Sequence, residues 1–407
     1  MNGKKRWLIW LLCAALLPGC GLRSTDAPAP ENSPSPVPAA TPGPEIRSAA
    51  ERQLERMTLR EKVGQLFIVR PDALDPAQPT AQVDDSNAPG VTELSADMAE
   101  MLAAYPVGGV AMFSKNIADP DQLAAFIAQL QAQSGVGLFL AVDEEGGAVT
   151  RLASNTAFAL PRYRSAAAVG AGGDERAARE MGRTIGAYLQ QYGFQMDFAP
   201  VADVSTNPDN PVIGSRAFSS RADEAGRMAS AMAGGLLEEG VIPVYKHFPG
   251  HGDTAEDSHR GLAVTYKTAE ELSACEWIPY TGYDLSGCAV MVGHIAAPAL
   301  TGDMTPSSLS PAIVTGILRE QMGFDGLIMT DSLAMGAVAR SYPPGDAAVL
   351  ALLAGCDVLL LPEDLPVAFE TVLHAVESGV IPAERLDESV RRVLEYKARA
   401  GLLPPAD

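Results

Sequence analysis

The stretch "GLFLAVDEEGG", Gly137 to Gly147, decides the fold. Its first half is almost continuously apolar, whereas a half-buried strand would alternate apolar and polar residues. Such a run reads as a parallel strand covered on both faces. It then breaks abruptly into Asp143, Glu144 and Glu145, followed by two glycines. Seven further runs read the same way: "VGQLFIV" (63–69), "GGVAMF" (108–113), "MDFAPVAD" (196–203), "IPVYKHF" (242–248), "CAVMVGHI" (288–295), "GLIMTD" (326–331) and "DVLLLP" (357–362). Between them lie segments with i, i+3, i+4 apolar spacing. The clearest are "DQLAAFIAQLQAQ" and "DERAAREMGRTIGAYLQQYG", the second opening on Asp174 as an N-cap and closing near Gly193. "AIVTGILREQMGF" and "ERLDESVRRVLEYKARAG" behave alike.

Eight such runs with intervening helices predict an α/β fold, a (β/α)8 TIM-type barrel. A doubly wound open sheet fits the same alternation. Polar residues at the C-terminal ends of the runs favour the barrel: Asp143, Asp203, Lys246 with His247, His294 and Asp331. That end carries the active site in α/β barrels.

The remaining sequence bounds the setting. Of the 407 residues 47% are hydrophobic, enough for a large core, and the formal net charge of −20 argues against a nucleic-acid partner. Lys4, Lys5 and Arg6 precede an apolar run of signal-peptide length ending "LLPGC", Leu16 to Cys20. This resembles a lipobox, in which Cys20 is lipidated, although Pro18 is unusual there. An ordinary secretory signal is the alternative. Residues 1–20 are therefore expected to be a lipoprotein signal peptide and 21–48 a Pro/Ala/Ser-rich tether. Residues 49–407 are expected to form the barrel. The membrane would then be a partner through the anchor, with the chain extracytoplasmic, on a cell surface or in a periplasm. Cys288 and Cys356 read as small core residues, and a Cys275–Cys288 disulfide is possible.

Two stretches carry chemistry. In "IMTDSLAM", Asp331 ends an apolar run and could serve as nucleophile, metal ligand or helix cap. In "KHFPGHGDTAEDSH", Lys246 and His247 end a strand and a Pro-Gly turn follows. Asp257 lies two residues before His259, so an extended backbone would point both the same way. A carboxylate beside an imidazole makes a general acid/base pair. The alternatives are an inert polar loop or a metal site using His247, His251 and Asp257. The latter lacks the helical spacing of a zinc motif.

Together with "VDEEGGAVTRL" and "NPVIGSRAFS", these stretches resemble glycoside hydrolase family 3, in particular its β-N-acetylglucosaminidase branch, from about residue 50 to 400. The resemblance implies a retaining, exo-acting β-N-acetylhexosaminidase without cofactor or metal. Asp331 would be the nucleophile, and His259 the acid/base with Asp257 as its partner. Asp143, Arg151, Arg216, Lys246 and His247 would contact the sugar. The family often has Gln and Arg where this chain has Glu144 and Ala148. The substrates this resemblance implies are GlcNAc-containing glycans, including peptidoglycan fragments. Related readings are a β-glucosidase-like enzyme, a phosphorylase, or an inactive anchored carbohydrate-binding protein. Relatives with a Glu acid/base take it from a second domain. None is evident here, so the acid/base is expected on the barrel's own Gly-rich loop, which is expected to move and close over substrate. Arg151 and Arg216 could instead pair with Asp143 or Asp203 as a purely structural network.

Overall fold

Each of the eight apolar runs supplies one barrel strand. The computed structural model describes residues 43–256 and 261–403. The strands are β1 (Phe67–Val69), β2 (Gly109–Met112), β3 (Phe139–Val142), β4 (Met196–Asp197), β5 (Ile242–Phe248), β6 (Ala263–Val264), β7 (Ala289–Val292), β8 (Ile295–Ala296), β9 (Ile328–Thr330) and β10 (Leu359–Leu360). All but β6 and β8 form one parallel sheet in the order β10-β1-β2-β3-β4-β5-β7-β9. A parallel bridge between Met329 and Val358 joins its two ends, with the Thr330 N–H donating to Val358 O at 3.0 Å. The sheet is thus a closed (β/α)8 barrel, and the open-sheet alternative falls. β6 and β8 pair with each other as a separate two-stranded ribbon.

The runs are continuously apolar because both strand faces are buried. In β3, Phe139 and Ala141 belong to the cluster inside the barrel, whereas Leu140 and Val142 pack in the layer under the helices. The same division holds in β1, where Ile68 points inward and Phe67 and Val69 outward, and in β9, where Met329 points inward and Ile328 outward. The C-terminal helix, Ala383–Arg399, contributes Val393 and Tyr396 to the interior cluster.

Local signals behave as expected at several ends. Asp174 caps the helix Glu175–Gln191, its side chain accepting the Arg176 N–H, and Gly193 follows with a positive φ of 85°. Two boundaries differ. The first helix is Pro44–Arg56, so it begins inside the stretch assigned to the tether; Pro at its start suits the first turn, where the missing N–H has no helical partner. The run at 63–69 is strand only from Phe67, because the helix Leu59–Gln65 occupies its first half. Cys275, Cys288 and Cys356 are free thiols, so the possible disulfide is not formed; Cys288 and Cys356 are buried core residues.

Candidate active site

Strand parity builds the pocket. Side chains two apart share a face, and continuing the inward-facing set to near the C-terminal end of each strand or one residue past it reaches the barrel mouth. Ile68 leads to Arg70, Ala111 to Phe113, Ala141 to Asp143, Val244 to Lys246 and Met329 to Asp331. All five arrivals line one cavity of about 200 Å³ at the C-terminal ends of the strands.

The three acids after β3 separate by the same rule. Asp143 faces the cavity, accepting Arg151 Nη2 at 3.1 Å and Lys246 Nζ at 2.7 Å. Glu144 turns outward and is fully buried. Its Oε2 accepts the backbone N–H of Arg151 (2.6 Å) and Leu152 (2.9 Å), and its Oε1 accepts those of Ala153 and the Tyr188 hydroxyl, both at 2.9 Å. Glu145 returns to the cavity, taking Arg216 in a fork (2.8 and 2.7 Å) and Lys246 at 2.6 Å. The chain then reverses through Gly146 and Gly147, at φ 78° and 87°. A Cβ at Gly147 would lie 2.9 Å from Ser165 Cα, so only glycine fits there.

The result is a chain of alternating charge: Arg151, Asp143, Lys246, Glu145, Arg216. Burial alone would raise the Asp143 carboxyl, but Lys246 and Arg151 outweigh it and hold the group well below the usual range. Glu145 is lowered too: burial opposes, and Lys246 with Arg216 prevails. Burial would discharge Lys246, yet Asp143 and Glu145 push its pKa upward. This chain of five thus sets three cations against two anions, and Arg70 and Asp331 also border the cavity.

β5 delivers two consecutive residues to the same side. Its register with β7 shifts between Tyr245 and Phe248, both of which pack outward, leaving Lys246 and His247 at the cavity. Asp203 stands behind His247, its Oδ2 2.7 Å from the ring Nδ1, and its Oδ1 accepts the His251 N–H at 2.6 Å. Gly250, at φ 127°, makes the turn after Pro249. The part of the loop that carries His259 lies outside the described residues, and its first part, from His247 to Thr254, is described. This stretch is largely buried and tied to the loop after β4, since Asn210 Nδ2 donates to His251 O (2.8 Å) and Thr254 O (3.0 Å). A Cβ on Gly252 would lie 1.8 Å from Val204 O, which shows how closely the two loops approach.

Asp331 follows β9 and lines the cavity. Its N–H donates to Val292 O at 2.9 Å, and its Oδ1 accepts the Ser332 N–H at 2.7 Å. It is not a helix cap, because the next helix starts at Gly336 with Met335 as N-cap. His294, fully buried, holds the adjoining turn, its Nε2 2.8 Å from Ser332 O and its Nδ1 2.7 Å from Ser308 Oγ.

Residues 58–396 match the model of the glycosyl hydrolase family 3 N terminal domain. The chain belongs to glycosyl hydrolase family 3. This family 3 chain is 33% identical over 398 residues to the beta-hexosaminidase LpqI of Mycobacterium tuberculosis, covering 94% of this chain and 95% of that one. It is 29% identical over 336 residues to beta-hexosaminidase A of Pseudoalteromonas piscicida, over 76% of this chain but only 56% of that relative, so it spans about half that length. The solved structure of a family 3 beta-N-acetylglucosaminidase from Paenibacillus sp. str. FPU-7 superposes with a TM-score of 0.77 at 36% identity, covering 86% of this chain and 64% of that one.

Of the sites expected from the family 3 motifs, the structure gathers Asp143, Arg151, Arg216, Lys246, His247 and Asp331 around one cavity. Asp257, His259 and Cys20 lie outside the described residues. The suspected structural pairing is half right: Arg151 does pair with Asp143, while Arg216 pairs with Glu145. Glu145, Arg70 and Phe113 also line the cavity and are not among the site residues expected from the sequence; His251, a candidate there only as a metal ligand, lines it too. Arg70 and Phe113 could have been found by parity, each being one residue past a strand. His251 could not, because its place depends on the contact with Asp203.

Proposed function

We propose that this chain removes terminal non-reducing β-N-acetylglucosamine from glycans by a retaining mechanism. The observation that carries the reading is Asp331, a carboxylate at a barrel-strand end, facing a cavity walled by Arg151, Lys246 and Arg216. Asp331 attacks the anomeric carbon to give a glycosyl-enzyme, which water then opens. Asp143, Arg151, Arg216, Lys246 and His247 hold the sugar hydroxyls, and their buried charges stay fixed while charge develops at the ring. His259, oriented by Asp257, protonates the leaving oxygen and later activates water. The names of the relatives support the β-GlcNAc specificity. The N-terminal pattern supports a further part of the proposal, that Cys20 anchors the chain extracytoplasmically by lipid through a tether ending before the helix at Pro44, and the resemblance of the motifs supports substrates that include cell-wall fragments. Among the described residues no helix is long and apolar enough to cross a membrane.

The test is release from a chromogenic β-GlcNAc and a β-glucoside, with and without chelator and phosphate. The expected result is β-GlcNAc hydrolysis that neither additive changes. Loss in chelator would sink the metal-free mechanism, and a sugar phosphate product would replace hydrolysis by phosphorolysis. Asp331→Asn should lower kcat by at least about 1,000-fold, since it removes the group that makes the covalent bond. Unchanged turnover would mean the nucleophile lies elsewhere.

A further inference from the structure

Asp203 is 1% exposed, and its carboxylate receives three N–H groups. Oδ1 accepts the His251 backbone N–H at 2.6 Å. Oδ2 accepts the His247 backbone N–H at 3.2 Å and lies 2.7 Å from His247 Nδ1. An ionised carboxylate only accepts, so the ring proton sits on Nδ1. His247 Nε2 bonds to none of the described residues, and the ring borders the cavity. The rest of the wall offers mainly donors. Arg70, Arg151, Arg216 and Lys246 are cations, the acceptors Asp143 and Glu145 are engaged by the last three, and the remaining carboxylate, Asp331, is the group assigned to the anomeric carbon.

We propose that Asp203 is a positioning residue that holds His247 in the Nδ1–H tautomer, so that Nε2 accepts a hydrogen bond from a sugar hydroxyl. The inference rests on the reading of this cavity as a glycoside site. It gives the donor-rich pocket a neutral acceptor, which a hydroxyl needs if its proton is also to be bound. The charged and titratable neighbours of the ring are Asp203, the adjoining Lys246 and His251, whose ring centroid lies 5.8 Å away; Asp143, Glu145, Arg151, Arg216 and Asp331 share the cavity.

Asp203→Asn discriminates, because it keeps the shape and changes the donor pattern. Asparagine has one acceptor oxygen and one NH2. With three N–H groups aimed at it, the NH2 must oppose at least one. Placed at the Oδ2 position, the NH2 faces the ring, which moves its proton to Nε2 and accepts the NH2 at Nδ1, while the amide oxygen keeps the His251 N–H. The cavity then meets the hydroxyl proton with a donor.

The chain has five histidines, few enough for ¹⁵N-histidine NMR of the whole protein, with the His247 signals assigned through His247→Gln. At pH 8 the wild type should show a protonated Nδ1 and a bare Nε2 on His247. In Asp203→Asn the proton should appear on Nε2, and kcat/KM for the chromogenic β-GlcNAc substrate should fall about 10- to 100-fold, mostly through KM. A wild-type proton on Nε2 overturns the proposal, and that measurement needs no variant to fold. An Asp203→Asn protein with unchanged spectrum overturns the tautomer control; a changed spectrum with unchanged KM overturns the sugar contact. A wild type inactive on every β-glycoside removes the glycosidase reading instead, while its spectrum still decides the tautomer.

Discussion

Glu144 and Glu145 are neighbours in the chain and have opposite tasks. Glu145 joins Lys246 and Arg216 at the cavity, whereas Glu144 faces outward and gathers three backbone N–H groups and the Tyr188 hydroxyl. Glu144 thereby folds the segment that carries Arg151. It also explains how this chain carries a charge where its family often has an amide: the carboxylate offers four acceptor contacts and all four are used. Its neighbour Asp197 is pushed well above the ordinary carboxylate range, first by burial and then by the Glu144 charge, despite accepting the Glu144 N–H. Glu144→Gln would turn an NH2 toward an N–H donor. We expect a loss of about 1–3 kcal/mol in chemical denaturation and a higher KM through a displaced Arg151. Equal stability and KM would show that the loop does not depend on this carboxylate. Residue identity marked all three acids as notable, and only their alternation around β3 separates the one that holds the loop from the two that line the pocket.

At the scale of elements, the strand β5 and residues 249–254 after it are hydrogen-bonded to the loop after β4. Asn210 clamps them. Its amide donates to two carbonyls of the 251–254 turn, and its carbonyl oxygen accepts the Val212 and Ile213 N–H groups at 2.8 and 2.7 Å. The same segment leads to Arg216. Asn210→Ala would orphan these groups, each worth about 1–3 kcal/mol if left buried and unpaired. Hydrogen exchange should therefore quicken at Ile213 and around His251 while the barrel strands keep their protection, and the affinity for sugar should drop. A uniform change across the barrel would count against a local clamp. The motif "KHFPGHG" was legible as a turn rich in chemistry. Its burial was not, because burial depends on Val204, Asn207 and Asn210, which lie some forty residues earlier and reveal nothing of that contact by spacing.

At the scale of the whole molecule, the helix Ala383–Arg399 fastens the N-terminal end of the barrel. Tyr396 donates to Cys288 O at 2.6 Å, and Lys397 enters fully buried, with Nζ donating to Gln65 Oε1 at 2.5 Å and lying 5.3 Å from the Phe139 ring centre. Burial pulls the Lys397 ammonium down to about 7, from 10.5 in an exposed chain. Between these values the unfolded chain binds more protons than the folded one, so stability rises with pH across that window; below it the full penalty of a buried charge remains. The contribution is at most about 1.4 kcal/mol per pH unit. Lys397→Met should raise stability at pH 7 and flatten its rise between pH 7 and 10, as read by denaturant titration at several pH values. An unchanged slope would mean that Lys397 stays charged in the fold. By itself the sequence determined the alternating α/β pattern, the eight strands and the pocket residues Asp143, Lys246, His247 and Asp331, because two-sided burial and a period of two leave their mark on local composition, whereas closure of the sheet was decided by the bridge between Met329 and Val358. It also carried the family motifs. The tertiary structure alone decided which charges pair, that Glu145 rather than Asp203 receives Arg216, and that Asp203 stands behind His247. Those outcomes depend on loops that meet across the barrel mouth, where neither apolar pattern nor spacing constrains the partner.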